Sequence, residues 1–230
     1  MSQQEILKEK VVTPECILSY PALLAPREAN YDNDDGKSDA KYSAALVFTK
    51  GNDELEDADL REMKSVALRV AQSRWPKAVE MIRAGKLRWP FREDADDIEE
   101  KGYDEVNAIA FVNASTKQRP QVVGAFVDPA TGKLVVIDNA EQIYAGVIAR
   151  ASLTAYTYDV KGNKGVTFGL NNVQIIRDGT RIDGRSSANT DFEALAEAPS
   201  LADFEDPASD PMAGVAEESA GPNPLADLMD

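Results

Sequence analysis

Alternation of apolar and polar positions is strongest between residues 146 and 177. Successive side chains of a strand point to opposite faces. Val147, Ala149, Ala151, Leu153 and Ala155 then share one small apolar face, and Arg150, Ser152, Thr154, Tyr156 and Tyr158 share the other. A second strand-like run starts at Val166, and the Gly/Asn stretch before it reads as a hairpin turn. Residues 11–20 read as a first strand, with Pro14 near its start and Pro21 beyond its end, where a missing ladder donor is tolerated. Residues 41–50 read as a strand with neither face fully polar, hence an interior or barrel strand, and residues 107–115 as another. Short β-like pieces follow at 122–127 and 134–137, and residues 139–144 read as one helical turn.

One segment changes period. Leu55, Ala58, Met63, Val66, Ala67, Val70 and Ala71 recur near helical spacing. Acids crowd its first turn, which suits the helix macrodipole. This helix is expected to end near Arg74, where Trp75 and Pro76 interrupt it, and a shorter one to fill residues 77–84 before Gly85. Residues 25–40 and 93–104 read as polar or acidic loops. Short strands, an inserted helical segment and Gly/Asn turns predict a mainly β fold: a five-stranded antiparallel OB-type barrel with an inserted helical segment.

Charge divides the chain. The net charge is −15 over 230 residues, from 40 acids and 25 bases. Residues 191–230 hold 11 of the acids and no Lys or Arg, which leaves 29 acids against 25 bases, a net of −4, in residues 1–190. The body can therefore carry a basic patch that the whole-chain charge hides. The expected division is a folded domain at 1–190 and a disordered acidic tail at 191–230, too poor in large apolar residues to offset its ordering entropy. Leu225, Leu228, Met229 and Asp230 close the tail like a short docking peptide, against the alternative of a purely solubilising segment.

Several chemistries are disfavoured. There is no His, and the single cysteine, Cys16, lies in an apolar run that suits a buried small hydrophobe. An EF-hand register counted from Asp32 puts Gly36 at position five and Ser43 at twelve, and fails. Gly132–Lys133 lacks the spacing of a phosphate loop, with Val127 and Leu134 at the required Gly and Ser/Thr positions. Asp94, Asp96 and Asp97 could meet a metal ion but read better as solvated. No catalytic residue, cofactor or metal is expected. No apolar run reaches the roughly 18–20 residues of a membrane span, and no secretory h-region is seen, so the cytoplasm is expected.

The candidate chemistry is a binding surface. Arg150, Tyr156 and Tyr158 share a face that leads into a turn holding Lys161 and Lys164. Cations beside stacking rings suit single-stranded nucleic acid, although tyrosines also cover half-exposed sheets. Arg88 and Arg92 alternate with Trp89 and Phe91, rings that either stack on bases or pack the helix onto the sheet. Lys117 and Arg119 occupy a basic turn, and Tyr42 is a weaker ring candidate.

The strand 146–159, the turn at Asn163–Val166 and the run Gly169–Gln174 together resemble bacteriophage single-stranded DNA-binding proteins with an OB fold and an acidic tail. The likeness extends more weakly to the first strand, to residues 41–49 and to Asn113. It implies coating of single-stranded DNA in phage replication or recombination, no enzymatic activity and a homodimer. It also implies a tail that recruits replication or recombination proteins and competes with DNA for the basic groove. Family tails often end near an aromatic residue, whereas this one ends Leu-Met-Asp. The alternative class is a non-enzymatic β-barrel protein–protein adaptor or assembly protein.

Overall fold

The computed structural model describes residues 7–28, 40–50 and 54–184. Its elements are β1 (Glu9–Val12), β2 (Cys16–Arg27), β3 (Lys41–Thr49), α1 (Glu54–Arg74), α2 (Ala78–Arg83), β4 (Phe91–Arg92), α3 (Ala95–Glu100), β5 (Ala108–Thr116), β6 (Gln121–Val127), β7 (Leu134–Val136), β8 (Ile148–Val160) and β9 (Asn163–Arg177). Single 3₁₀ turns stand at Asp104–Val106 and Ala140–Gln142. The acidic segment 191–230, with Leu225, Leu228, Met229 and Asp230, lies outside the described residues, as does most of the loop 25–40. No helix among the described residues is long and apolar enough to cross a membrane.

The strands form one mixed, nine-stranded sheet. Within it β8 pairs with β2, β2 with β3, β3 with β5, β5 with β9, and β9 with β8 again, so five strands pair in a cycle. Four of these pairings are antiparallel and β5–β9 is parallel. The expectation of a wholly antiparallel five-stranded sheet is thereby corrected. Directions cannot alternate around a cycle with an odd number of members, so one neighbouring pair has to run the same way. Four strands lie outside the cycle: β1 on β8, β4 on β5, β6 parallel to β9, and β7 on β6.

The β8 alternation is borne out. Val147, Ala149, Ala151, Leu153 and Ala155 are fully buried, and the core they join includes Leu18, Leu46, Phe48, Val112 and Phe168. Small side chains on β8 let its backbone approach this layer, and large ones opposite fill the space; each buried Phe or Leu contributes about 1.5–3 kcal/mol of transfer free energy. Helix α1 adds its stripe of Leu60, Met63, Val66, Ala67, Val70 and Ala71 to the same core. It ends at Arg74, as the periodicity predicts. Cys16 is buried too, and burial pushes its thiol up to about 12.

Two local readings are corrected. The run 11–20 is two strands, broken at Thr13–Pro14. Thr13 accepts from the Ala151 amide through its hydroxyl at 3.0 Å and donates its own amide to the Ala151 carbonyl at 2.9 Å. Pro14 has no amide to continue a ladder. Nor does β2 stop at Pro21. It bulges between Ser19 and Ala22 and continues to Arg27, and a bulge is a place where proline is tolerated. The acidic stretch 93–104 also contains a helix. Asp94 caps α3 by accepting from the Asp96 amide at 3.0 Å, and the acids that follow face the positive end of the helix. Ile98 and Tyr103 anchor this segment on Val47 and Phe111, a second small cluster that covers the outer side of β3 and β5. That is why β3 is apolar on both faces.

After β9 the chain doubles back. The Gly179 amide donates to the Tyr144 hydroxyl at 3.1 Å, and the Ile182 amide to the Ala145 carbonyl at 3.1 Å. Gly146, at φ +115°, backs directly onto the Thr180 carbonyl, which leaves no room for a Cβ. Gly146→Ala is expected to lower stability by about 2 kcal/mol or more, through overpacking and backbone strain together, read as a lower denaturation midpoint.

Candidate nucleic-acid interface

A trough of about 690 Å³ lies on the side of the sheet away from the core, across β2, β3, β5 and β9. Its floor is small and polar: Ser43, Ala45, Asn113, Ser115 and Thr167. Strand register puts these residues in rows. Ser43 stands opposite Ser115, Ser115 beside Gly169, and Gly169 opposite Thr154. Ala45 stands opposite Asn113 in the next row. Such a floor lets a flat ligand approach the backbone and offers hydroxyls and an amide at its edge. Tyr20, Arg27, Lys101 and Tyr103 form one wall. Burial raises the Tyr103 phenol above its ordinary value, against a hydrogen bond with Ser19. The hydrogen bond from Lys101 to Glu100, 3.0 Å long, holds that ammonium above its usual range.

Tyr156 and Tyr158 continue the surface on β8, both half-exposed. Each leans across the ladder onto a glycine of β9. Tyr158 stands opposite Gly165 and its ring occupies the space a Cβ would take there. Tyr156 lies over Gly169, with Cε1 3.3 Å from that position. Glycines in a strand thus serve as seats for cross-strand rings, which cover the bare backbone.

The segment before β4 fills a gap in the cycle. β5 and β9 pair only at Ala114–Phe168 and Ser115–Gly169. Further along, Arg88 bridges to Gly165, and β4 pairs with β5 at Val112 and Phe111. Leu87 and Phe91 point into the core, where Phe91 meets Phe168 edge-on at 5.6 Å; Arg88 and Arg92 stay exposed. Trp89 packs on the core beside Phe91, ring centroids 5.5 Å apart.

The cations gather at the two ends of this face. Arg88, Lys161 and Lys164 share one end, the Arg88 amide donating to the Lys164 carbonyl at 2.9 Å. Lys161 and Gly162 both have positive φ, the geometry of a tight two-residue hairpin turn. Lys117 and Arg119 follow β5 at the other end; Tyr42, opposite Thr116, alternates with the floor residue Ser43 and so belongs to the other face of β3, which corrects its place among the candidate rings. Some of the expected cations already hold partners. Lys164 lies 3.9 Å from Asp159, which Arg74 approaches at 3.8 Å, and Arg92 pairs with Asp97 at 3.4 Å. Arg150 donates to the Thr13 carbonyl at 3.0 Å and lies 3.6 Å from Asp59, so it ties β8 to the β1–β2 turn and to α1. The floor and the wall of Tyr20, Arg27, Lys101 and Tyr103 carry no local sequence pattern that marks them as a surface. Asn113, a lone amide in an apolar strand, was the signal available.

A family model described as "Enterobacter phage Enc34, ssDNA-binding protein" matches residues 9–204. The chain belongs to this Enc34 phage ssDNA-binding protein family. Protein p50 of Acyrthosiphon pisum secondary endosymbiont phage 1 is 28% identical over 175 residues, covering 76% of this chain and 86% of that protein. Among solved structures, the single-stranded DNA-binding protein from bacteriophage Enc34 in complex with ssDNA is similar, with a TM-score of 0.56 and 19% identity over 75% of this chain and 89% of that one. A second structure of the single-stranded DNA-binding protein from bacteriophage Enc34 aligns with a TM-score of 0.52 and 17% identity over 80% of this chain and 90% of that one. These likenesses establish a shared fold with the Enc34 protein.

Tyr156 and Tyr158 each make a cross-strand contact of the kind that contributes about 0.2–1 kcal/mol. Tyr156→Ala and Tyr158→Ala are therefore expected to lower stability by no more than about 1 kcal/mol each. Chemical denaturation checks this, and a loss several-fold larger would make the rings structural supports first.

Proposed function

We propose that this chain binds single-stranded DNA without sequence preference, on the face formed by β3, β5, β9 and β8. One observation carries the reading: a small polar floor, flanked by tyrosine rings, with cations at both ends. The five-strand cycle is read as an OB-type barrel with β3 and β5 as its second and third strands. In that fold those strands and the neighbouring loops form the oligonucleotide face. Family membership and the ssDNA bound by the similar Enc34 protein support the assignment.

Bases would stack on Tyr156 and Tyr158, each contributing about 1–3 kcal/mol with little base preference. Phosphates would meet Arg88, Lys161 and Lys164 at one end and Lys117 and Arg119 at the other. Lys164, Arg92 and Arg150 would exchange a carboxylate for a phosphate. Trp89 would contribute less, because most of its ring faces the core. The protein would coat single strands during phage replication or recombination, without enzymatic activity, and act as a homodimer. The acidic tail would compete for the same cations at low salt, and Leu225, Leu228, Met229 and Asp230 would recruit replication or recombination proteins.

A second reading, the protein–protein adaptor, draws on the β6–β7 hairpin. Phe126 is 79% exposed there, and Val127, Leu134, Val135 and Val136 are exposed beside it. Exposed apolar clusters of this kind mark interaction surfaces. Titration with oligo-dT and with duplex DNA at two salt concentrations separates the readings. Preferential binding of oligo-dT is expected, with a salt slope near −0.7 per phosphate neutralised. Tyr156→Ala should weaken it about 5- to 150-fold, the range equivalent to one lost stack. Equal affinity for both DNAs, or none, would favour the adaptor. Deleting residues 199–230 should tighten oligo-dT binding at low salt; unchanged or weaker affinity would refute competition by the tail.

A further inference from the structure

Strand β2 holds a tyrosine where glycine would be expected. Tyr20 has φ +47°, inside the bulge between Ser19 and Ala22, and Pro21 follows it. A bulky residue in the left-handed region is a rare and costly conformation. A following proline biases its predecessor towards extended backbone instead. Burial of the ring does not compensate, because Tyr20 is 57% exposed. Strain of this kind, held at an exposed aromatic, persists where the side chain's direction matters.

The direction is informative. Tyr20 and Arg27 line the trough, and both also line a second cavity of about 540 Å³. Pro21, Glu141, Ile143, Tyr144, Arg181 and Asp183 line that second cavity, where the Arg181 guanidinium lies 4.5 Å from the Tyr144 ring centre and pairs with Asp183 at 3.2 Å. Past the bulge, Arg27 stands directly opposite Lys41 in the β2–β3 ladder. Like charges facing each other across a ladder repel. Neither cation forms an ion pair among the described residues. An exposed ring and Arg27 thus stand where the two cavities adjoin, with Lys41 the ladder partner of Arg27.

We propose that this bulge is a second nucleotide subsite, in which Tyr20 stacks on a base leaving the trough and Arg27 and Lys41 take the adjoining phosphate. The strand then continues into the second cavity. This rests on the reading that the trough holds single-stranded DNA. It extends the contacted strand beyond the β3–β5–β9–β8 face and accounts for the tyrosine at a glycine-like position.

The test uses the full chain and oligo-dT of about 20 nucleotides, longer than one OB face commonly covers. Tyr20→Gly removes the ring and relieves the backbone, so the melting temperature should hold or rise while affinity falls about tenfold. Tyr20→Phe keeps the ring and should bind within about twofold of the unaltered chain. Replacing Arg27 and Lys41 by Gln should flatten the salt slope by about 0.7 for the phosphate lost. Independently of folding, the unaltered chain irradiated with 5-iododeoxyuridine-substituted oligo-dT should yield an adduct on the peptide containing Tyr20. Tyr20→Gly binding like the unaltered chain, or adducts confined to other peptides, would overturn the subsite alone. Failure of the unaltered chain to bind oligo-dT would overturn the trough reading and the subsite together.

Discussion

An odd number of strands cannot alternate direction around a closed set of pairings, and much of this molecule follows from that constraint. Five strands pair in a cycle, so one neighbouring pair is parallel, and here it is β5–β9. Parallel strands need a long crossover. The crossover consists of β6, β7 and β8; β8 occupies one edge of β9 along its length, so β6 pairs with the same edge as β5, at Asn172–Gln174, and carries β7 on its far side. The parallel contact itself is two register pairs long. The rest of the seam is closed by residues 87–92, where Leu87 and Phe91 enter the core and Arg88 and Arg92 face outwards. A segment required to seal the fold thereby delivers cations to the outer face.

The same seam shapes the floor of the trough. Where β5 and β9 do touch, Ser115 meets Gly169, and Gly169 is the seat on which Tyr156 rests. A larger residue at either position would lift the ring or fill the trough. The wall opposite depends on α3, whose capping by Asp94 and anchoring through Ile98 hold Lys101 and Tyr103 beside β5. Floor, rings and wall thus come from five strands and the short helix α3. Each has a separate structural reason to be where it is.

Much of the fold was legible in residue order. The β8 face of Val147, Ala149, Ala151, Leu153 and Ala155, the helix ending at Arg74 and the strand at 41–50 all follow from local period, which reports the side a residue presents. Cys16 was legible for the same reason. The helix at Ala95–Glu100 was not, because its acids read as solvation and only the Asp94 cap and the burial of Ile98 distinguish it from a loop. The candidate surface was legible in part. Tyr156, Tyr158, Lys161, Lys164, Arg88, Lys117 and Arg119 lie along or at the ends of one surface, whereas Trp89 packs on the core and Arg150 is held by Thr13 and Asp59.

What the sequence determined by itself is what depends on near neighbours and composition: the face of each strand, the extent of the long helix, and the concentration of negative charge in residues 191–230. What the tertiary structure alone decided is what depends on residues far apart in the chain. That includes the parallel seam, the glycine seats of Tyr156 and Tyr158, the carboxylate partners of the cations, and the bulge that turns Tyr20 outward between two cavities. Each is a relation between segments that no local period encodes. Pairing partners are selected by which arrangement buries the apolar faces and satisfies the backbone of the whole set of strands at once.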